Sequence, residues 1–105
     1  MNRRGRPAYR RGWQWCALVC DMLALIRRSE AGEKLESEDA ALAQELGAAL
    51  TPRMRRYLEL YYVEGANQPD IARLTGSHRS NVCRVLQRGE NNLERVLKKH
   101  QKGAR

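Results

Sequence analysis

Residues 68–86, QPDIARLTGSHRSNVCRVL, set out a short helix, a glycine-centred turn and a second helix, the plan of a helix-turn-helix. Asn67 is placed to cap the first helix, Pro69 is tolerated in its first turn, and Asp70 is favoured there. That helix spans about residues 68–75 and is expected to bury Ile71 and Leu74, with Ala72 small enough for close helix approach. Gly76 supplies a positive-φ turn with no side-chain penalty. The second helix starts near Arg79, and Val82, Val85, Leu86, Leu93 and Val96 share one face if it runs through to Lys99. Gly89 sits inside that run at a cost of about 1 kcal/mol against Ala, and a continuous helix, a kink and a break all fit the pattern. With the apolar face turned inward, the opposite face carries Ser80, Arg84 and Gln87, flanked by Asn81 and Arg88. Each can hydrogen-bond to bases or phosphates. Base edges are read mainly by the first turns of such a helix, which here means Arg79, Ser80, Asn81 and Arg84.

The preceding residues also read as helices. Thr51-Pro52 is an N-cap followed by proline at the first helical position. It opens a helix over 51–64 with a stripe of Met54, Leu58, Tyr61 and Tyr62; Arg53, Arg55, Arg56 and Glu59 take the other faces, and Gly65 stops it. Ser37, with Glu38 and Asp39 after it, reads as the cap of a short helix through Ala41, Leu42, Glu45 and Leu46 that ends at Gly47. Residues 29–37 read as a polar linker. Residues 13–28, WQWCALVCDMLALIRR, form a further helix. Trp15, Leu18, Val19, Met22 and Ile26 lie on one face, Cys16, Cys20 and Leu23 widen it, and Arg27 and Arg28 close it on the side the helix dipole favours. This helix is more apolar than so small a chain needs, so it is expected to pack on the 38–46 helix or to make a protein contact, either a homodimer or RNA polymerase. No repeat and no strand pattern is visible, and the fold class expected is all-α, with about five helices.

Charge narrows the partners. The 105 residues carry a formal net charge of +8 with a pI near 10.0, and Arg far outnumbers Lys. Residues 1–12 sum to +5, 13–50 to −4, 51–86 to +3 and 87–105 to +4. Basic ends around an acidic middle suit a polyanion gripped by arms. Residues 1–12, rich in Arg, Gly and Pro, should be disordered alone and fit both a DNA-contacting arm and a solubilising tail. No apolar run approaches the roughly 18 residues of a membrane span. The basic start before an apolar run has the outline of a secretory signal, but Asp21 interrupts it and Arg27 and Arg28 follow where small neutral residues belong. Three cysteines are too few for a disulfide scaffold. A cytoplasmic location is expected, with no membrane partner.

Catalytic and metal chemistry lack raw material. Cys16 and Cys20 are one helical turn apart with no histidine near them, and read as small buried residues rather than metal ligands. Cys83 reads as a surface thiol, and His78 and His100 as a turn and a tail residue. Tyr57, Tyr61 and Tyr62 read as core with hydroxyls at the rim. There is no phosphate-cradling glycine loop and no nucleophile elbow, so neither an enzyme nor a cofactor or metal is expected.

Residues 46–99, LGAALTPRMRRYLELYYVEGANQPDIARLTGSHRSNVCRVLQRGENNLERVLKK, resemble region 4 of sigma-70-type RNA polymerase sigma factors. The resemblance rests on the Leu50-Thr51-Pro52 opening, the YLELYYVEG stretch at 57–65, DIARLTG at 70–76, and a basic recognition helix with a Leu/Arg/Lys-rich tail. It covers about half the chain. It implies a helix-turn-helix of the winged-helix-like DNA-binding superfamily, with double-stranded DNA as partner and RNA polymerase as a second. The base-reading positions it implies are Arg79, Ser80, Asn81 and Arg84, with Gln87, Arg88 and His78 beside them and Gln68 near a phosphate. Ser77 stands where the family usually has an aliphatic residue, and Gly89 where it has a helix former. The 45 residues before the match are too few for the larger sigma-factor domain that binds polymerase and melts the promoter. The organisation expected is a basic arm at 1–12, a helical extension at 13–49, the region 4-like unit at 50–99 and a basic tail at 100–105. The function expected is transcription regulation by a stand-alone, bacterial or phage DNA-binding protein. A helical adaptor for protein or structured RNA, and a small subunit of a phage DNA-packaging machine, share the outline. Salt dependence and duplex preference separate the adaptor; a ring-shaped oligomer would mark the packaging subunit.

Overall fold

A computed structural model describes residues 12–103. The basic arm expected at 1–12 lies almost wholly outside them, as does the end of the basic tail. Five α-helices follow in order: α1 (Gly12–Glu30), α2 (Ser37–Ala49), α3 (Pro52–Leu58), α4 (Gln68–Thr75) and α5 (Arg79–Gly103), and α3 runs directly into a π-helical turn, Glu59–Val63. There is no strand among the described residues, so the chain is all-α. None of these helices is long and apolar enough to cross a membrane.

Local chemistry explains most of the boundaries. Thr51 Oγ1 accepts the Met54 N–H at 3.1 Å and Pro52 opens α3, because the first amides of a helix have no intrahelical partner. A capping box opens α4: Asn67 Oδ1 accepts from Asp70 N at 2.8 Å, and Asp70 Oδ2 accepts from Asn67 N at 3.3 Å. Two expected boundaries move. Glu36 rather than Ser37 is the N-cap of α2, and it makes no side-chain capping bond. Gly47 does not end α2, which continues to Ala49; the glycine lies inside the helix, and a Cβ built there would sit 3.8 Å from Ile26 Cγ2.

The core is shared by all five helices. Val19, Leu23 and Ile26 of α1, Leu46 of α2, Leu58 of α3, Ile71 of α4, and Val82, Leu86 and Leu93 of α5 are all buried. The 13–49 extension therefore packs on the same core as the helix-turn-helix, with α1 against α2 and the π turn, and α2 against α5. Trp15 is drawn inward, while Trp13 stays 75% exposed. Leu74, expected in the core, is 62% exposed. Gln68, Ile71, Ala72 and Thr75 mark the inward arc of α4, and Leu74 falls about 100° from its centre at 3.6 residues per turn.

The π turn replaces a regular helix over the second half of 51–64. Glu64 N donates to Glu59 O at 3.0 Å, five residues back. The wider turn brings three consecutive residues, Leu60, Tyr61 and Tyr62, into the core together, which 3.6 residues per turn does not allow on one face. The Tyr61 and Tyr62 rings meet edge to face, 5.0 Å between centroids. Tyr62 does not reach the rim. Its hydroxyl donates to Glu90 Oε2 at 2.5 Å and accepts from Trp15 Nε1 at 3.1 Å. Glu90 is a buried carboxylate, a group that burial tolerates only with hydrogen-bond donors. Burial, then the hydrogen bond and charge of Glu90, push the Tyr62 phenol well above its ordinary pKa and keep it a donor.

Gly89 settles the course of α5. The helix passes through it unbroken, and a Cβ at this position would lie 2.9 Å from Leu58 Cδ1 and 3.2 Å from its Cγ. Leu58 is fully buried, so a glycine is needed where α5 crosses α3. The two interior glycines thus predict opposite effects. Gly47→Ala should stabilise by about 1 kcal/mol, since it adds helix propensity and an ordinary contact. Gly89→Ala should destabilise by about 1 kcal/mol, since overpacking of about 1–3 kcal/mol exceeds the propensity gain of about 1 kcal/mol. Urea denaturation of the two variants and the wild type checks both signs; equal stability of Gly89→Ala and wild type would contradict the Leu58 contact.

Candidate nucleic-acid interface

The candidate interface is built on α4, the turn Gly76-Ser77-His78 and the first half of α5. Ile71 and Val82, both fully buried, lock the two helices together, and half-buried Ala72 packs beside them. Gly76 ends α4 in the left-handed region, φ 69° and ψ 24°. A residue with a Cβ would be strained there. The Gly76 and Ser77 N–H groups both donate to Ala72 O, which closes the helix end. His78 then stands in front of α5, and its carbonyl accepts from Asn81 N and Val82 N, each at 3.0 Å. Its Nδ1 lies 3.2 Å from Ser80 Oγ.

Ser77 has a place in this turn. Its Oγ meets the Tyr57 hydroxyl and lies 3.0 Å from Thr75 Oγ1, which itself donates to Ile71 O at 2.7 Å. The hydroxyl cluster ties α3 to the turn where an aliphatic side chain would leave the Tyr57 hydroxyl with one partner fewer. Arg53 lies over the same tyrosine, its guanidinium carbon 5.7 Å from the ring centroid. Burial of Tyr57 acts to raise its phenol pKa. Hydrogen bonds with Ser77, Thr75 and Arg53, together with the charge of Arg53, outweigh it and bring the value down from 10.0 to about 8.

The α5 residues expected at the site are placed as follows. His78, Arg79, Ser80, Arg84, Gln87 and Arg88 are exposed; Asn81 is half-buried at the flank. Gln68 is half-buried in the first turn of α4, in the same turn as the Asp70 carboxylate, which is paired with Arg73. Among the described residues Arg79, Arg84 and Arg88 have no acidic partner within ion-pair distance, whereas Arg27, Arg28, Arg55 and Arg73 all do. Cys83 is half-buried rather than a surface thiol. No cluster of three metal-binding side chains occurs among the described residues.

Three residues at this surface were not singled out from the sequence. Arg53 reaches the turn only through tertiary packing, and no local pattern announces it. Asn91 and Arg95 are exposed on the same side of α5 as Arg84, at offsets of seven and eleven residues. Their spacing is legible only once the helix is continuous through Gly89. Comparison with protein-family models, with curated proteins and with solved structures gives no match.

The lowered Tyr57 value has a testable consequence. The folded chain releases this proton at about 8 and the unfolded chain near 10.0, so between those values the unfolded state binds more protons and stability rises with pH. The contribution is complete above 10.0 and is lost as pH falls through about 8. Ultraviolet titration should show a tyrosine ionising near pH 8 in wild type and not in Tyr57→Phe. Thermal denaturation should show the pH 8–10 rise only in wild type. A wild-type titration with no step below pH 9 would contradict the cluster.

Proposed function

We propose that this chain is a DNA-binding transcription regulator of the sigma region 4 type, with the first half of α5 entering the major groove. One observation carries the reading: the outward face of α5, from His78 to Arg88, joins three arginines without acidic partners to serine, asparagine and glutamine, behind a glycine turn. Arginine pairs with guanine through two hydrogen bonds, and asparagine and glutamine do the same with adenine. The free amides at the start of α5 suit a phosphate bordering the groove. Arg79, Ser80, Asn81 and Arg84 are the base-reading positions of this reading. The work is done by positioning and contact, with no reaction catalysed. RNA polymerase is the second partner this reading implies, and the cytoplasm its setting.

The test is fluorescence anisotropy on a pool of mixed-sequence duplexes, and then on a selected site. Wild type should bind and weaken steeply between low and moderate salt. Arg84→Ala should cost about 1–3 kcal/mol on the selected site and relax the preference at one base pair. Absence of binding even at low salt would overturn the reading and favour a helical adaptor for a protein partner.

A further inference from the structure

Helix α5 is longer than a groove-reading helix requires. It has 25 residues, about 37 Å at 1.5 Å per residue, against a major groove about 12 Å wide. Its second half does not drop its outward cations. Taking Arg84 as the reference and about 100° per residue, Ser80, Arg88, Asn91, Arg95 and Lys98 all lie within about 40° of the same line. Every one of them is exposed, and no acidic residue falls in the stripe. Arg95 donates to Asn92 Oδ1 at 2.6 Å and has no acidic partner among the described residues; Lys98 is only loosely paired, 3.9 Å from Glu94. The opposite side of the same segment is held down by His100, 3.1 Å from Glu45 of α2, and Lys99, about 60° from the line, reaches the same carboxylate at 3.7 Å. The stripe therefore stays turned outward from Ser80 to Lys98.

We infer that the second half of α5 is a separate backbone clamp, with Arg95 and Lys98 contacting phosphates of duplex DNA outside the groove that the first half enters. The inference rests on the proposed reading of α5 as a groove-entering helix. Geometry sets the division. Arg95 stands about 16 Å and Lys98 about 21 Å along the helix from Arg84, about three to four turns beyond the first turns that reach base edges. With the first turns at base edges, these two side chains reach the flanking strand and not the bases. Contacts of this kind add affinity and salt dependence without sequence preference. The continuity of α5 through Gly89 is what makes the clamp and the reading head a single rigid piece.

The test compares wild type, Arg95→Ala/Lys98→Ala and a control, Lys34→Ala, which removes an exposed cation from the α1–α2 loop. Circular dichroism checks that each is folded, as expected for exposed positions. Binding to the selected duplex and to an unrelated duplex is measured from about 50 to 200 mM salt. Each phosphate contact contributes about 0.9 to the slope of log K against log salt. The double variant should therefore lose about 1.8 from the slope, so that its affinity falls about tenfold less than wild type across this range. It should weaken on both duplexes by the same factor, whereas Lys34→Ala keeps the wild-type slope. An unchanged slope in the double variant, or an equal drop in Lys34→Ala, overturns the clamp while the groove reading stands. Failure of wild type to bind either duplex overturns both.

Discussion

The contact between Leu58 and Gly89 governs the rest of the molecule. At this crossing α3 and α5 approach so closely that a single Cβ would strike the leucine side chain. Because glycine is present, α5 continues as one helix, its apolar face stays on the core, and its polar face stays turned outward over its whole length. The short ties around the crossing reinforce that placement. Asn92 donates to the carbonyl of Ala49 at 2.9 Å, one turn beyond the crossing, and Glu90 receives the Tyr62 hydroxyl from the π turn. The Tyr57–Ser77 contact links α3 to the start of α5. Three successive levels of α5 are thus fixed by α3 and its flanking segments, and the outward face is set by what lies behind it.

Electrostatics divides the surface in a consistent way. Arg27, Arg28 and Arg55 lie against Glu59, Glu33 and Glu30 at the end of the molecule where α1 meets α3. Exposed pairs of this kind contribute little stability, about 0–1 kcal/mol each. Their consequence is where cationic charge is left over. Among the described residues it is left on Arg53 and Arg56 of α3 and along the outward face of α5, where Glu90 is buried and Glu94 is set to the side. A net charge of +8 says only that polyanions are attracted.

Elements capped by local chemistry were legible in the sequence. Thr51-Pro52, Asn67 with Asp70, and Gly76 act within a few residues of themselves, and the helices and turn they bound are where the sequence puts them. The apolar face of α5 was legible too, since Val82, Val85, Leu86, Leu93 and Val96 keep one period. What was not legible depends on distant neighbours. Gly47 looks like a helix end, and Gly89 leaves the course of α5 open, until Ile26 and Leu58 are placed against them. Leu74 looks like core until the inward arc of α4 is known to pass through Thr75. The burial of Glu90 was not legible because Tyr62, whose hydroxyl it accepts, lies 28 residues away in the π turn. The π turn has no local signature at all. At the candidate interface the outward face of α5 was legible, and the presence there of Arg53, Asn91 and Arg95 was not.

The most direct measurement is a nuclear magnetic resonance map of backbone amides and arginine side-chain Nε–H groups as a mixed-sequence duplex is added. The largest changes should fall on Ser77 to Arg88, with the side chains of Arg79, Arg84 and Arg88 foremost, and the amides of α1 and α2 should stay where they are. Changes centred on α1 and α2, or an α5 whose signals do not move while the duplex is bound, would contradict the assignment of the interface to the outward face of α5.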